Sequence, residues 1–215
     1  MPALAGAVLA ATFAAAGPVA ASTETYQYRV IHPTYGDIGT YTNVVDRTGD
    51  DTDVHSALNV TVRIVGIVVY RQEAQRVERW RNNRLIGFDG VTITNGNKIE
   101  VHGAARGNNF AVTTPRGTVL APASIHPSNP WSPMVLNSHV MLSTRTGAVL
   151  PARVSGGEEA SVSLGGNTLR LHQYEIDSDK RQFAWFDDRG VPMAFRTVED
   201  GTPIDFVLSQ ATEER

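Results

Sequence analysis

Val60, Val62 and Ile64 recur at a strict spacing of two in NVTVRI, and a similar alternation of large apolar with polar residues returns along most of the chain after Thr25. A period of two is that of a half-buried strand, because successive side chains point to opposite faces. TYQYRV, LRLHQYEI and RQFAWFDD repeat the pattern. Short turn signals separate the runs: Thr48-Gly49-Asp50-Asp51, Asn95-Gly96, Pro115-Arg116-Gly117-Thr118 and Asp187-Asp188-Arg189-Gly190. Asn95-Gly96 sits between VTIT and KIEV, where a two-residue hairpin loop needs positive φ at both positions. Arg81-Asn82-Asn83-Arg84 reads as another turn. RQEAQRVERWRNNRL competes as a helix, but Glu78 and Trp80 alternate with Val77 and Arg79, which favours a strand. Val68 and Tyr70 continue the apolar side beyond Gly66, which suggests a bend or bulge there.

No strand–helix–strand rhythm, exact repeat or low-complexity linker interrupts this order. The pattern predicts a mainly β protein: one strongly curled antiparallel sheet of about ten to twelve strands, a half-barrel or open barrel. A sandwich is the second choice.

HPSNPWSPMVLNSH, His126 to His139, breaks the β pattern. Asn129 can cap a helix with Pro130 at its first position, where a missing N–H costs nothing. Trp131, Met134, Val135 and Ser138 would then share one face. A curled sheet leaves a concave apolar face to be covered, so this segment is expected to be one short helix lying over it.

The first residues, MPALAGAVLAATFAAAGPVAA, carry no charged side chain and end in a small-residue cleavage pattern. They are read as a signal peptide over 1–21, although the usual Lys or Arg near Met1 is missing. Residues 22–215 then form a single domain, periplasmic or secreted, with no stretch that could span a membrane as a helix. The chain has no cysteine, so it must stand on its core without disulfides, and thiol chemistry is excluded. A net charge of −3 argues against nucleic acid as a partner.

There is no G-x-S-x-G, no phosphate-binding loop, no H-E-x-x-H and no dinucleotide fingerprint; no cofactor is expected. The histidines His32, His55, His102, His126, His139 and His172 are scattered. A metal site would have to be assembled from distant strands, for example by His102, His126, His139 and His172, and no metal is expected. Glu78 and Trp80 share a strand face. On a concave face the carboxylate would have a raised pKa beside an indole; on a solvent face it would form a surface ladder with Arg76 and Arg79. The ladder is the preferred reading. Tyr28, Tyr70, Trp80, Trp131 and Met134 are candidates to line a ligand cavity, the default form of a binding site being an apolar pocket with a few polar groups.

Several short motifs carry a resemblance: Tyr26-x-Tyr28-x-Val30, Gly36-Asp37-Ile38-Gly39-Thr40, Val69-Tyr70-Arg71, Glu78-x-Trp80, Asn95-Gly96, Trp185-Phe186-Asp187-x-x-Gly190 and Gly201-x-Pro203-Ile204-x-Phe206-x-Leu208. Together they resemble an exported bacterial family known as domain of unknown function 6134. The opening strand, Gly-x-Ile-Gly, strand also looks like the half-barrel group of the lipoprotein carrier LolA and the enzyme VioE. The resemblance implies a curled antiparallel sheet with a covered concave face, and it transfers no reaction.

Three functions fit. The first is binding of a lipid or other hydrophobic small molecule in the concave face, without chemistry. The second is a cofactor-independent isomerase, lyase or cyclase with His126 and His139 as acid and base and Glu78 as partner. The third is an envelope interaction protein that offers a sheet edge to a partner strand. Oligomeric state is not legible.

Overall fold

The computed structural model describes residues 21–164, 167–178 and 180–214. The expected leader lies outside these residues except for Ala21, which opens the first strand.

Eight strands form a first meander: β1 (Ala21–His32), β2 (Gly36–Thr48), β3 (Asp51–Ile64), β4 (Ile67–Arg81), β5 (Arg84–Thr94), β6 (Asn97–Arg106), β7 (Asn109–Thr114) and β8 (Gly117–Pro122). A connecting segment comes next and holds three short strands, β9 (His126–Pro127), β10 (Val140–Leu142) and β11 (Val149–Pro151). The second meander follows it: β12 (Arg153–Leu164), β13 (Asn167–Asp177), β14 (Arg181–Phe186), β15 (Pro192–Glu199) and β16 (Thr202–Glu214). The meanders merge where β16 pairs antiparallel with β1, for example Tyr26 opposite Ala211. The result is one thirteen-stranded sheet in the order β12-β13-β14-β15-β16-β1-β2-β3-β4-β5-β6-β7-β8.

Strands β9 to β11 make a small sheet of their own. The connecting segment packs against both halves of the large sheet. Ile125, Trp131 and Leu142 join a core with Trp80, Leu85 and Phe88, while Val135, Met141 and Ala152 join one with Ile176, Ala184 and Phe186.

Three expectations are corrected. The strand number exceeds ten to twelve, because β9 to β11 and several short strands of the meanders are not separable from turns by alternation alone. The sheet is large and open rather than strongly curled: β8 and β12 are its two edges and do not pair with each other. The short helix is a single 3-10 turn, Pro133–Asn137. Prolines at 127, 130 and 133 remove N–H groups and restrict their neighbours, so a longer helix cannot start at Asn129. Ser132 is the cap instead, accepting a hydrogen bond from Met134 N at 3.3 Å.

Two-residue loops close four of the hairpins with positive φ at both residues: Val65-Gly66, Asn82-Asn83, Asn95-Gly96 and Asp200-Gly201. This twist matches that of the flanking strands. Gly66 therefore ends a strand rather than bending one. Tyr70 lies beside Val62 on the neighbouring strand, which explains why their faces match. Among the described residues, no helix is long and apolar enough to cross a membrane.

Candidate functional site

The alternation in β4 sends Ala74, Arg76, Glu78 and Trp80 to the inner face and leaves Gln75, Val77 and Arg79 on the other. Glu78 is 0% exposed. The preferred surface ladder is thereby corrected: Glu78 is the anion of a buried network, while Arg79 pairs outside with Asp89 at 2.8 Å. Inner-face neighbours decide the orientation, since Trp80 is also buried and a period of two carries Glu78 with it.

Two indoles and an amide surround the carboxylate. Trp80 Nε1 and Trp131 Nε1 donate to Glu78 Oε2 at 3.1 and 2.9 Å, and Asn129 Nδ2 donates to Oε1 at 3.1 Å. Burial nevertheless dominates and pushes the Glu78 pKa up to about 7, against the three hydrogen bonds and the Arg76 charge. Asn129 does not act as a helix cap. Its amide also reaches Ser56 Oγ at 3.1 Å and Asn43 Oδ1 at 3.2 Å, and its Oδ1 accepts from the Tyr41 hydroxyl at 2.8 Å. Ser56 Oγ donates to Asn43 Oδ1 at 2.7 Å. One side chain of the connecting segment is thus bonded to β2, β3 and β4 together. Burial raises the Tyr41 pKa to about 12, so its hydroxyl stays a donor.

Beside this network a cavity of about 470 Å³ opens between the sheet and the connecting segment. Val30, Leu58, Val60, Phe195, Ile204 and Phe206 give it apolar walls. Its inner end is formed by Tyr41, Arg76, Asn129 and Met141; its rim by His32, Arg145, Lys180, Glu199 and Asp200. Glu199 pairs there with Arg145, at 3.9 Å, and with Lys180. The rim lies at the end of the sheet that carries the loops Val65-Gly66, Asn95-Gly96 and Asp200-Gly201, because Val62, Tyr70 and Thr94 line the same cavity.

The expected site residues fall in different places. Tyr70 lines the cavity. Tyr28 is core, donating its hydroxyl to Pro192 O at 2.9 Å and packing edge-on to Phe195. Trp80, Trp131, Met134 and His126 surround a separate void of about 10 Å³, near the lower limit for a single water. His126 is half-buried against the Trp80 ring, 5.3 Å between centroids, and burial lowers its pKa. His139 is exposed. Among the described residues no group of three or more histidines and carboxylates could hold a metal ion; His102 pairs with Asp89 and His172 with Asp188.

A family model described as Domain of unknown function (DUF6134) matches residues 28–209. The chain belongs to this family. The DUF6134 match runs from β1 into β16 and takes in the buried network and the cavity walls. Among solved structures, the DUF6134 chain is similar to a beta-barrel-like protein of domain of unknown function DUF1849 from Brucella abortus. The identity is 7% and the TM-score 0.67, over 89% of this chain and 98% of that chain. At that identity the likeness is one of fold alone. No curated protein matches the DUF6134 chain.

Asn43, Ser56 and Tyr41 are not singled out by the sequence; Arg76 is expected there only in a surface ladder and is instead buried, and Asn129 is expected only as a cap, not as an anchor. Asn43 and Ser56 do interrupt apolar inner-face runs, Tyr41-x-Asn43-x-Val45 and Val54-x-Ser56-x-Leu58. A polar residue at an apolar-face position is the signal of a buried polar partner.

Proposed function

We propose that this chain is an exported protein, periplasmic or secreted, that holds a lipid or another hydrophobic small molecule in the cavity between its sheet and its connecting segment, without chemistry. The cavity of about 470 Å³ carries the reading. Its size lies in the range of about 300–1,000 Å³ common to small-molecule sites, and Val30, Leu58, Val60, Phe195, Ile204 and Phe206 form the apolar part of a lining that also carries polar side chains such as Thr94, Ser143, Gln182 and Thr197. The resemblance of the opening strands to the LolA and VioE half-barrels belongs to the same proposal. No observation favours the acid–base reading, because His126, His139 and Glu78 share no cavity: the Trp80 indole separates His126 from Glu78, and His139 faces solvent.

The test is mass spectrometry of an organic extract of protein purified from its native host, with uptake of a hydrophobic fluorescent dye by the stripped protein. A bound apolar species and saturable uptake support the proposal. An empty extract together with no uptake refutes it.

A second reading rests on the edge strand β8. Val119 and Leu120 are exposed on an unpaired edge, which is the form that accepts a partner strand. Crosslinking at Val119 in the native host tests it: a specific adduct supports it, and none removes it.

A further inference from the structure

Among the described residues only two charged side chains are buried, Arg76 at 8% exposure and Glu78 at 0%. They stand two positions apart on the same face of β4, yet they do not pair. Glu78 spends its oxygens on Trp80, Trp131 and Asn129. Arg76 gives Nε to the carbonyl of Thr144 at 3.3 Å and lies beside Tyr41. Among the described residues no carboxylate forms an ion pair with it. A guanidinium has five N–H donors in a planar fork that matches a carboxylate bidentately. Taking such a cation out of water without an anion is costly, and burial lowers its pKa accordingly.

Arg76 also lines the cavity, together with the apolar Val30, Val60, Ile204 and Phe206. A cavity that sets apolar side chains beside a guanidinium with no ion-paired carboxylate has the polarity of a single-tailed amphiphile with an anionic head. Val30, Val60, Ile204 and Phe206 would flank the tail.

We propose that the cavity binds a long-chain carboxylic acid, with its carboxylate on Arg76 and its tail along the apolar walls. This rests on the reading above that the cavity takes an apolar molecule, and it names the class. Rim cations Arg145 and Lys180 both stand beside Glu199, whereas Arg76 is buried and, among the described residues, has no carboxylate in an ion pair.

The experiment measures displacement of a hydrophobic dye from the stripped full chain by dodecanoic acid and by 1-dodecanol, two ligands with the same tail. A charge-assisted pair predicts that the acid binds roughly ten- to a hundredfold more tightly than the alcohol. Arg76→Gln should abolish that preference, while Arg79→Gln, on the other face of β4 and outside the cavity lining, should leave it intact. Equal binding of acid and alcohol by the native chain overturns the proposal without harming the apolar-cavity reading. That comparison needs no variant, so it stands even if Arg76→Gln fails to fold. A preference that survives in folded Arg76→Gln places the head group elsewhere and also overturns it. Binding of neither ligand refutes both the proposal and the cavity reading.

Discussion

Trp131, on the connecting segment, donates its indole N–H to Glu78 Oε2 on β4 at 2.9 Å. With Asn129 on Oε1, this makes a buried carboxylate the point where the connecting segment is fastened to the sheet. The anchor also sets the inner end of the cavity, since Asn129 is both a hydrogen-bond partner of Glu78 and part of the cavity wall. The fastening and the proposed binding surface are therefore one structure.

Glu78 should make stability depend on pH. Its pKa is about 7 in the folded chain against an ordinary 4.5. The folded state thus holds the proton more tightly, so stability is highest below about pH 4.5 and falls as pH rises to about 7. The fall from this group is about 3 kcal/mol. Glu78→Gln cannot titrate. Denaturant unfolding of both proteins from about pH 4.5 to 7, the window between the two pKa values, should show a decline in the native chain that is missing in the variant. Parallel curves would mean that Glu78 does not carry it.

Asn129→Ala should loosen the connecting segment. It strips partners from the Tyr41 hydroxyl and from Glu78 Oε1, both buried. Each buried polar group left without a partner costs roughly 1–3 kcal/mol, so a loss of about 2–4 kcal/mol is expected in denaturant unfolding. Amide exchange should quicken most in β9 and β10. A loss below about 0.5 kcal/mol, a level typical of neutral surface changes, would show that the network is not the fastening.

The β architecture was legible because period two and turn residues are local properties. Asn95-Gly96 and Arg81-Asn82-Asn83-Arg84 are hairpin turns as expected. The sheet order was not, since the pairing of β16 with β1 joins residues nearly the whole chain apart. The face of Glu78 depended on the same long-range fact. A strand with Arg76, Glu78, Arg79 and Trp80 alternates identically whether its Glu78 face looks in or out, and what packs against that face, with Trp80 buried on it, decides. Asn129 looked like a cap because Asn before Pro is locally a helix start. Its competing partners, Tyr41, Asn43 and Ser56, come from strands far earlier in the chain.

Val65 is held at φ +49 in the β3–β4 turn and is 96% exposed. A left-handed conformation costs a non-glycine residue roughly 1–2 kcal/mol, and a β-branched one is an outlier there. Asn is favoured at this turn position. Val65→Asn should therefore raise stability by about 1 kcal/mol, read as a higher denaturant midpoint with unchanged slope. A drop in stability would show that Val65 makes contacts worth more than the strain.

The cavity should be closable from its wall. Ile204 lines it and is only half-buried, so a larger side chain there can grow into empty space instead of into packed core. Ile204→Trp should fold with stability within about 1 kcal/mol of the native chain, below the usual cost of overpacking a filled core. It should also cut the uptake of a hydrophobic dye at least severalfold. Overpacking elsewhere controls for indirect effects: Ala184→Leu, in the core with Phe186 and outside the cavity lining, should lower stability and leave uptake by the folded fraction unchanged. If Ile204→Trp folds and takes up dye as well as the native chain does, the dye is bound somewhere other than this cavity.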